Sequence, residues 1–316
     1  MDYDHDGVLD FISGSYDPGD VYLFRGLGRG EYAAVEKILD ETGTPLVHHP
    51  EELKQFLAME EDPSSDENAK IQARVASFGS WVAPVDWDVD GDLDLLIGSF
   101  SGYLYLRENV GSRDDPLYAA DSVPVLAADA ELRVNSHAAP VVADWNEDGL
   151  WDLVLGAADG SVCWFPNVGT PKRPEFGSLR VLVPAKSGSK FLSQFVAPGE
   201  LPRPGVRAQI CVTDYNHDGR LDLIVGDYSD VFQLRGLDEG ERRRFDEIAA
   251  KERELMGRAG AITSEEERKA LSEQFDALRE AKAPYLVSEE SVRRSFVWLY
   301  LRTPRAAPAA QQEPAR

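Results

Sequence analysis

Asp86-Trp87-Asp88-Val89-Asp90-Gly91-Asp92-Leu93-Asp94, running straight into Leu95-Leu96-Ile97-Gly98, reads as a calcium loop feeding a β-strand. Carboxylates at positions 1, 3 and 5 turn inward when the backbone curls round a hard cation, the glycine at 6 permits the sharp bend, and Asp94 at position 9 closes the shell. The loop recurs as Asp2-Tyr3-Asp4-His5-Asp6-Gly7 ending at Asp10, Asp144-Trp145-Asn146-Glu147-Asp148-Gly149 ending at Asp152, and Asp214-Tyr215-Asn216-His217-Asp218-Gly219 ending at Asp222. A glycine follows each, at Gly14, Gly98, Gly156 and Gly226. Position 7 varies through Val8, Asp92, Leu150 and Arg220, so its contribution to an ion would be a backbone carbonyl.

An EF-hand shares the opening of this pattern but requires a bidentate glutamate at position 12 and helices on both sides. Here position 12 is Ser13, Ile97, Leu155 or Val225, and the flanks Leu93–Ile97, Trp151–Leu155 and Leu221–Val225 are apolar runs of strand length. The competing metal-free reading, in which the aspartates merely form Asx-turns, is weakened by four copies in the same register.

The 316-residue chain is 43% hydrophobic, enough for a substantial core. Its formal net charge of -23 argues against nucleic acid or an anionic membrane surface as partner. The four loops alone hold 14 candidate ligand carboxylates, which divalent ions would partly neutralise. Cys163 and Cys211 have no Cys or His at metal-ligand spacing and are expected to be buried free thiols. No apolar run is long enough to span a membrane, and no secretory signal opens the chain.

Apolar strands lead into three of the loops (Trp81–Val85, Ala139–Ala143, Ile210–Thr213), whereas only Met1 precedes the first. The first unit is therefore expected to be incomplete, through a fragmentary chain, a late start codon or a strand supplied from elsewhere. Aromatic-rich strands follow: Val21–Arg25, Tyr103–Arg107 and Val162–Pro166. Turns of the form Asn-Val-Gly-Ser/Thr at Asn109 and Asn167 come next, then outer strands around Tyr32–Leu39, Leu117–Leu126 and Phe176–Val183. Gly26, Gly28 and Gly30 form a turn between strands rather than a phosphate cradle.

Each unit thus reads as a four-stranded meander. The first aspartates of the loops lie 84, 58 and 70 residues apart, a unit near the shortest value with insertions in the others. One meander cannot bury both faces alone, so repeated units predict an all-β, β-propeller architecture of four visible blades.

Two insertions interrupt the pattern. The first spans His48 to Ile71, with a helix over Glu51–Met59 behind Pro50 and a polar, mobile connection over Glu60–Lys70; the His48-His49 pair is expected to be exposed and without a role. The second is a helical hairpin over 239–290. Phe245, Ile248, Ala249 and Leu255 mark one helix, a break falls at Gly257–Gly260, and Leu271, Phe275 and Leu278 mark the other, which a Ser264/Glu267 capping box opens and Pro284 ends. Its apolar faces fit a hairpin packed on itself and the rim, or an arm that docks a partner. Ser295–Arg302 then repeats the aromatic strand, and 303–316 is expected to be disordered. The expected organisation is a propeller over 1–302, with blades at 2–47, 72–126, 127–185 and 186–302, the 48–71 insertion between the first two, and the tail last.

The four loops, their following glycines and the Asn-x-Gly-Ser/Thr turns together resemble the FG-GAP/VCBS repeat family of calcium-binding β-propellers, which includes the integrin α-subunit head; seven blades are usual there, against four copies visible here. The resemblance implies up to four Ca2+ ions, held by Asp2, Asp4, Asp6 and Asp10; Asp86, Asp88, Asp90 and Asp94; Asp144, Asn146, Asp148 and Asp152; and Asp214, Asn216, Asp218 and Asp222. It implies an extracytoplasmic setting and a non-catalytic binding or adhesion role toward a protein or a glycan. The alternative is a polysaccharide-cleaving enzyme or enzyme-associated subunit using His137 and Arg207, each seven residues before a loop, where innermost strands would line a channel. Neutral Asn146 and Asn216 imply weaker binding at the last two loops.

Overall fold

The computed structural model describes residues 1–186, 193–259 and 264–303. Most of the expected tail and the Gly260 end of the expected break lie outside them.

The described chain is mostly β, arranged as open sheets of which none closes on itself. The second sheet is a four-stranded meander of Ser80–Val85, Asp94–Ser99, Leu104–Arg107 and Val123–Pro124, and the third repeats it with Ala139–Ala143, Asp152–Gly156, Val162–Phe165 and Arg180–Val183. The first has three strands, Phe11–Gly14, Val21–Phe24 and Glu36–Lys37, without a lead-in strand. The expected outer strands shorten in the first two sheets, where only Glu36–Lys37 and Val123–Pro124 pair.

The fourth sheet is not a meander. Its central strand, Asp222–Gln233, pairs antiparallel with Val206–Thr213 on one side and with Val292–Tyr300 on the other. Beyond Val206–Thr213 its far end takes a parallel partner, Ser193–Val196, a strand absent from the sequence reading.

The strands that follow the second and third loops carry continuous apolar runs because both of their faces are buried. Leu95 and Ile97 enter one cluster with Val21 and Leu23 of the first sheet and with Tyr118, while Leu96 enters another with Leu153, Leu155 and Phe165 of the third. Val154 in turn packs with Leu223 and Val225 of the fourth. The sheets therefore stack face to face in chain order.

At each of the three junctions the strand glycine admits the backbone of the next sheet. A Cβ at Gly14, Gly98 or Gly156 would overlap the carbonyl of Ser80, Ala138 or Ala208 respectively. One residue further on, the N–H groups of those same three residues donate to Ser15 O, Ser99 O and Ala157 O at 3.0–3.1 Å. At Gly226 a Cβ would meet nothing closer than Gln209 O at 3.7 Å.

The first insertion folds as two helices, α1 (Pro50–Glu61) and α2 (Glu67–Ser77). About half of the expected mobile connection is thus helix, the end of α1 and the start of α2, the latter capped by Asp66, which accepts from Ala69 N at 2.9 Å. The expectation of two exposed histidines is also corrected. His48 is fully buried beside Tyr105, and His49 is the N-cap of α1, its Nδ1 accepting from Glu52 N at 3.3 Å.

The second insertion forms α3 (Glu239–Ala259) and α4 (Glu265–Lys282), packed on each other, with Ser264 capping α4 as expected. Gly257 does not break α3. The hairpin is anchored at its base, where Phe245 and Ala249 pack with Leu234, Phe195 and Tyr285. Cys163 is buried but Cys211 is exposed, so only one of the two thiols matches the expectation.

Candidate functional site

All four loops adopt one backbone path. Position 4 is left-handed in each, at His5, Val89, Glu147 and His217 with φ of 56° to 64°, and so is the position-6 glycine. None of these four position-4 residues is glycine or asparagine, and Val89 is β-branched, so the loop holds a conformation these side chains do not favour by themselves.

The position-9 aspartates are buried at the sheet ends and act as staples. One oxygen of Asp10, Asp94, Asp152 and Asp222 accepts from the position-2 N–H (Tyr3, Trp87, Trp145, Tyr215) at 2.7–3.1 Å. The other accepts from the backbone just past the aromatic strand (Gly26, Asn109, Asn167, Arg302) at 2.7–2.8 Å. Sequence reasoning assigned these residues to an ion alone; their first work is to tie the loop to the end of the neighbouring strand. Spare lone pairs remain on each carboxylate for an ion. Burial pushes the Asp94 carboxyl up to about 6, against the lowering effect of its two backbone bonds, and it raises Asp152 as well.

The remaining loop carboxylates divide into two classes. In the first loop, oxygens of Asp2, Asp4 and Asp10 lie within 4.8 Å of one another, and in the second those of Asp86, Asp88 and Asp90 do. Asp6 stays outside its cluster, exposed and accepting from Val8 N at 2.8 Å. Asp2 Oδ1 and Asp4 Oδ1 are shielded from solvent and accept no hydrogen bond. Buried carboxylate oxygens without donors are costly unless a cation or proton meets them, so the donor set fits a hard divalent ion. Arg25, paired with Asp4, already offsets part of the charge of the first loop. In the second loop Asp92 adds a fifth carboxylate, raised by its own burial and then by Asp90, Asp88 and Asp86.

In the third and fourth loops the asparagines close the ring internally. Asn146 Nδ2 donates to Asp148 Oδ2 at 2.7 Å, and Asn216 Nδ2 to Asp218 Oδ2 at 3.1 Å. Asp144 and Asp214 accept from the N–H groups at positions 5 and 6. An ion entering there would have to turn both amides.

A cleft of about 430 Å³ is lined by residues of all four units, among them Tyr16, Trp81, His137, Arg207, Asp227 and Phe296. His137 and Arg207 therefore do converge. Both have left-handed φ, 54° and 56°, and the equivalent position before the second loop is Gly79 at 81°. Each opens an inner strand at a sharp bend, which explains the seven-residue offset in backbone terms. His137 is buried, its ring against Trp81 and Phe100 and its Nδ1 2.9 Å from Ser136 Oγ. Asp227 was missed in the sequence because it lies outside every loop motif. It is buried and accepts from Gly205 N at 2.5 Å and Trp298 Nε1 at 2.7 Å, and burial raises its carboxyl.

Among the described residues no helix is long and apolar enough to cross a membrane. No known protein-family profile matches the chain, and no curated protein matches its sequence.

Proposed function

We propose that this chain is a calcium-stabilised repeat scaffold of the FG-GAP/VCBS type, propeller-like in arrangement, that serves outside the cytoplasm as a non-catalytic binding or adhesion module for a protein or glycan. The observation that carries the reading is the pair of shielded, donor-free oxygens Asp2 Oδ1 and Asp4 Oδ1 inside a loop whose backbone path recurs at all four sites. Face-to-face stacking then fixes the connections between strands on a stiff support, where recognition is commonly built.

Calcium titration by calorimetry, paired with melting in calcium and in chelator, tests the metal. Ions should bind more tightly at the first two loops than at the last two, and chelation should lower the melting temperature. Asp90→Ala, which removes a member of the second cluster, should lower it more than Asp6→Ala, whose side chain stands outside the first. A melting curve indifferent to chelation would refute the calcium reading.

The buried Asp227, sharing the cleft with His137 and Arg207, favours a second reading as a polysaccharide-cleaving enzyme, with its carboxyl as proton donor. Turnover on a polysaccharide panel, lost in both Asp227→Asn and His137→Ala, would replace the module by the enzyme. Binding on a glycan or protein array without product release supports the module.

A further inference from the structure

The hairpin of α3 and α4 carries a groove of about 480 Å³ between its two helices. Its apolar lining comes from Met256 of α3 and from Leu271 and Phe275 of α4, and Met256 is 48% exposed. Arg268, Ser272, Asp276 and Arg279 line it from α4, and all four are exposed.

Exposed Glu265, one turn before Arg268, extends this row. At about 100° per residue the five side chains fall in one stripe of α4 less than about a quarter of a turn wide. Their spacings are 3, 4, 4 and 3 residues, symmetric about Ser272. Their charges run the opposite way: minus, plus, neutral, minus, plus. Turned end for end, the stripe therefore meets its own copy with opposite charges at every charged level. Glu265 faces Arg279, Arg268 faces Asp276, and the small Ser272 faces itself. Within one chain Arg279 and Asp276 pair at 3.4 Å with both side chains more than half exposed, so both stay available to a partner.

We propose that this face is a self-association surface: two copies of the chain pair through α4, antiparallel about a twofold axis at Ser272, each α4 seated against the α3–α4 groove of the other. A twofold contact must be self-complementary, residue i meeting j while j meets i, and the stripe satisfies this at all five levels. The apolar lining supplies buried area, and the charges fix direction and register. Exposed ion pairs are individually weak and screened by salt, so a micromolar dimer that loosens as ionic strength rises is the expected strength. A module paired in this way offers two copies of whatever it binds, which favours a repetitive surface over a single ligand. The inference rests on the hairpin and not on calcium.

The test is sedimentation velocity of the full chain in calcium over about 1–100 μM, where a monomer–dimer equilibrium is expected. Arg268→Glu sets like charges against Asp276 at two levels and should weaken the dimer about tenfold or more, as should Asp276→Arg. Combining the two changes restores opposite charges and should restore the dimer. Both side chains are exposed, so the variants should melt like the parent. With a mild oxidant, Ser272→Cys in a Cys211→Ser background should form a disulfide-linked dimer, whereas Gln274→Cys, about 200° round the helix, should not. Monomer at every concentration, a dimer indifferent to the single charge changes, a double variant no better than the singles, or equal cross-linking at the two cysteines overturns the proposal.

Discussion

In the second unit the Asp94–Ser99 strand stops at a turn, with Gly102 N donating to Ser99 O at 3.1 Å and Gly102 at φ 96°, and the chain returns at once as Leu104–Arg107. In the fourth unit the same loop and the same glycine lead into a strand that does not stop. The residue four places after Gly226 is Asp230 rather than glycine, and the strand runs on to Gln233. Its aromatic partner arrives only after the helical hairpin, yet pairs with it from Leu223↔Tyr300 to Val231↔Val292. The loop motif and the buried run thus specify one strand, and the turn that does or does not follow it goes with whether its neighbour is local or distant.

The glycines allow the sharpest break of this comparison. Gly98→Ala forces a Cβ onto the Ala138 carbonyl between two sheets and should cost about 3 kcal/mol in urea denaturation. The same change at Gly226 should alter stability by less than about 1 kcal/mol, with a stabilising sign as the expected one, because the unfolded chain loses freedom and the folded chain meets no clash. Equal costs at the two positions would mean that the fourth glycine is as covered as the second.

The staples come next in size. Asp94→Ala and Asp222→Ala each strand two backbone donors, a loss of about 2 kcal/mol that should persist in chelator because the bonds are to N–H groups rather than to an ion. They should differ in reach. Asp94 ties a residue 15 positions away, whereas Asp222 ties Arg302 across 80 positions. Hydrogen exchange in Asp222→Ala should therefore accelerate along Val292–Tyr300 well before global unfolding. Uniform acceleration over the whole molecule would show that the fourth sheet opens only with the rest.

The smallest effect is in pH. Without calcium, the folded-state carboxyl of Asp94 titrates at about 6, above its ordinary value, so the native state holds the extra proton and stability falls as pH rises through that value. Between pH 5 and 7 the loss should be about 1 kcal/mol, and Asp94→Asn should remove it. With calcium the trend should reverse, because the proton then competes with the ion.

The strand-bearing parts of this architecture were legible because they repeat. Loops, lead-in strands, aromatic strands, the Asn turns and the capping box at Ser264 each carry local signals, and Asn109 Oδ1 accepting from Gly111 N and Leu117 N shows why that turn needs its asparagine. What escaped lacks a local cause. Helix α2 hangs on one cap at Asp66 in a stretch too polar to show an apolar face, the parallel Ser193–Val196 strand exists only because Asp222–Gln233 overruns, and His48 is buried by the later-arriving Tyr105. The double duty of the position-9 aspartates was hidden for the same reason, since their second partners lie 15 or more residues away. Asp227 follows its glycine as Ser99 follows Gly98, so its place in the strand is ordinary and nothing in the loop motif marks it.

The hairpin of α3 and α4 leaves and re-enters the fourth sheet through one narrow throat, where Leu234 and Leu286 are bridged, Arg235 N donates to Tyr285 O at 2.9 Å and Val287 N to Gln233 O at 2.8 Å. In kinetic terms this turns a distant strand pairing into a near one. Joining Asp222–Gln233 to Val292–Tyr300 across a floppy segment would carry the loop-closure entropy of the whole excursion, which slows pairing. Helices form from neighbouring residues on far shorter timescales, so an excursion that zips up first brings its two ends together before the strands meet. Helix contacts such as Lys282 with Glu252, at 2.6 Å, are thereby expected to influence the rate at which the fourth sheet assembles.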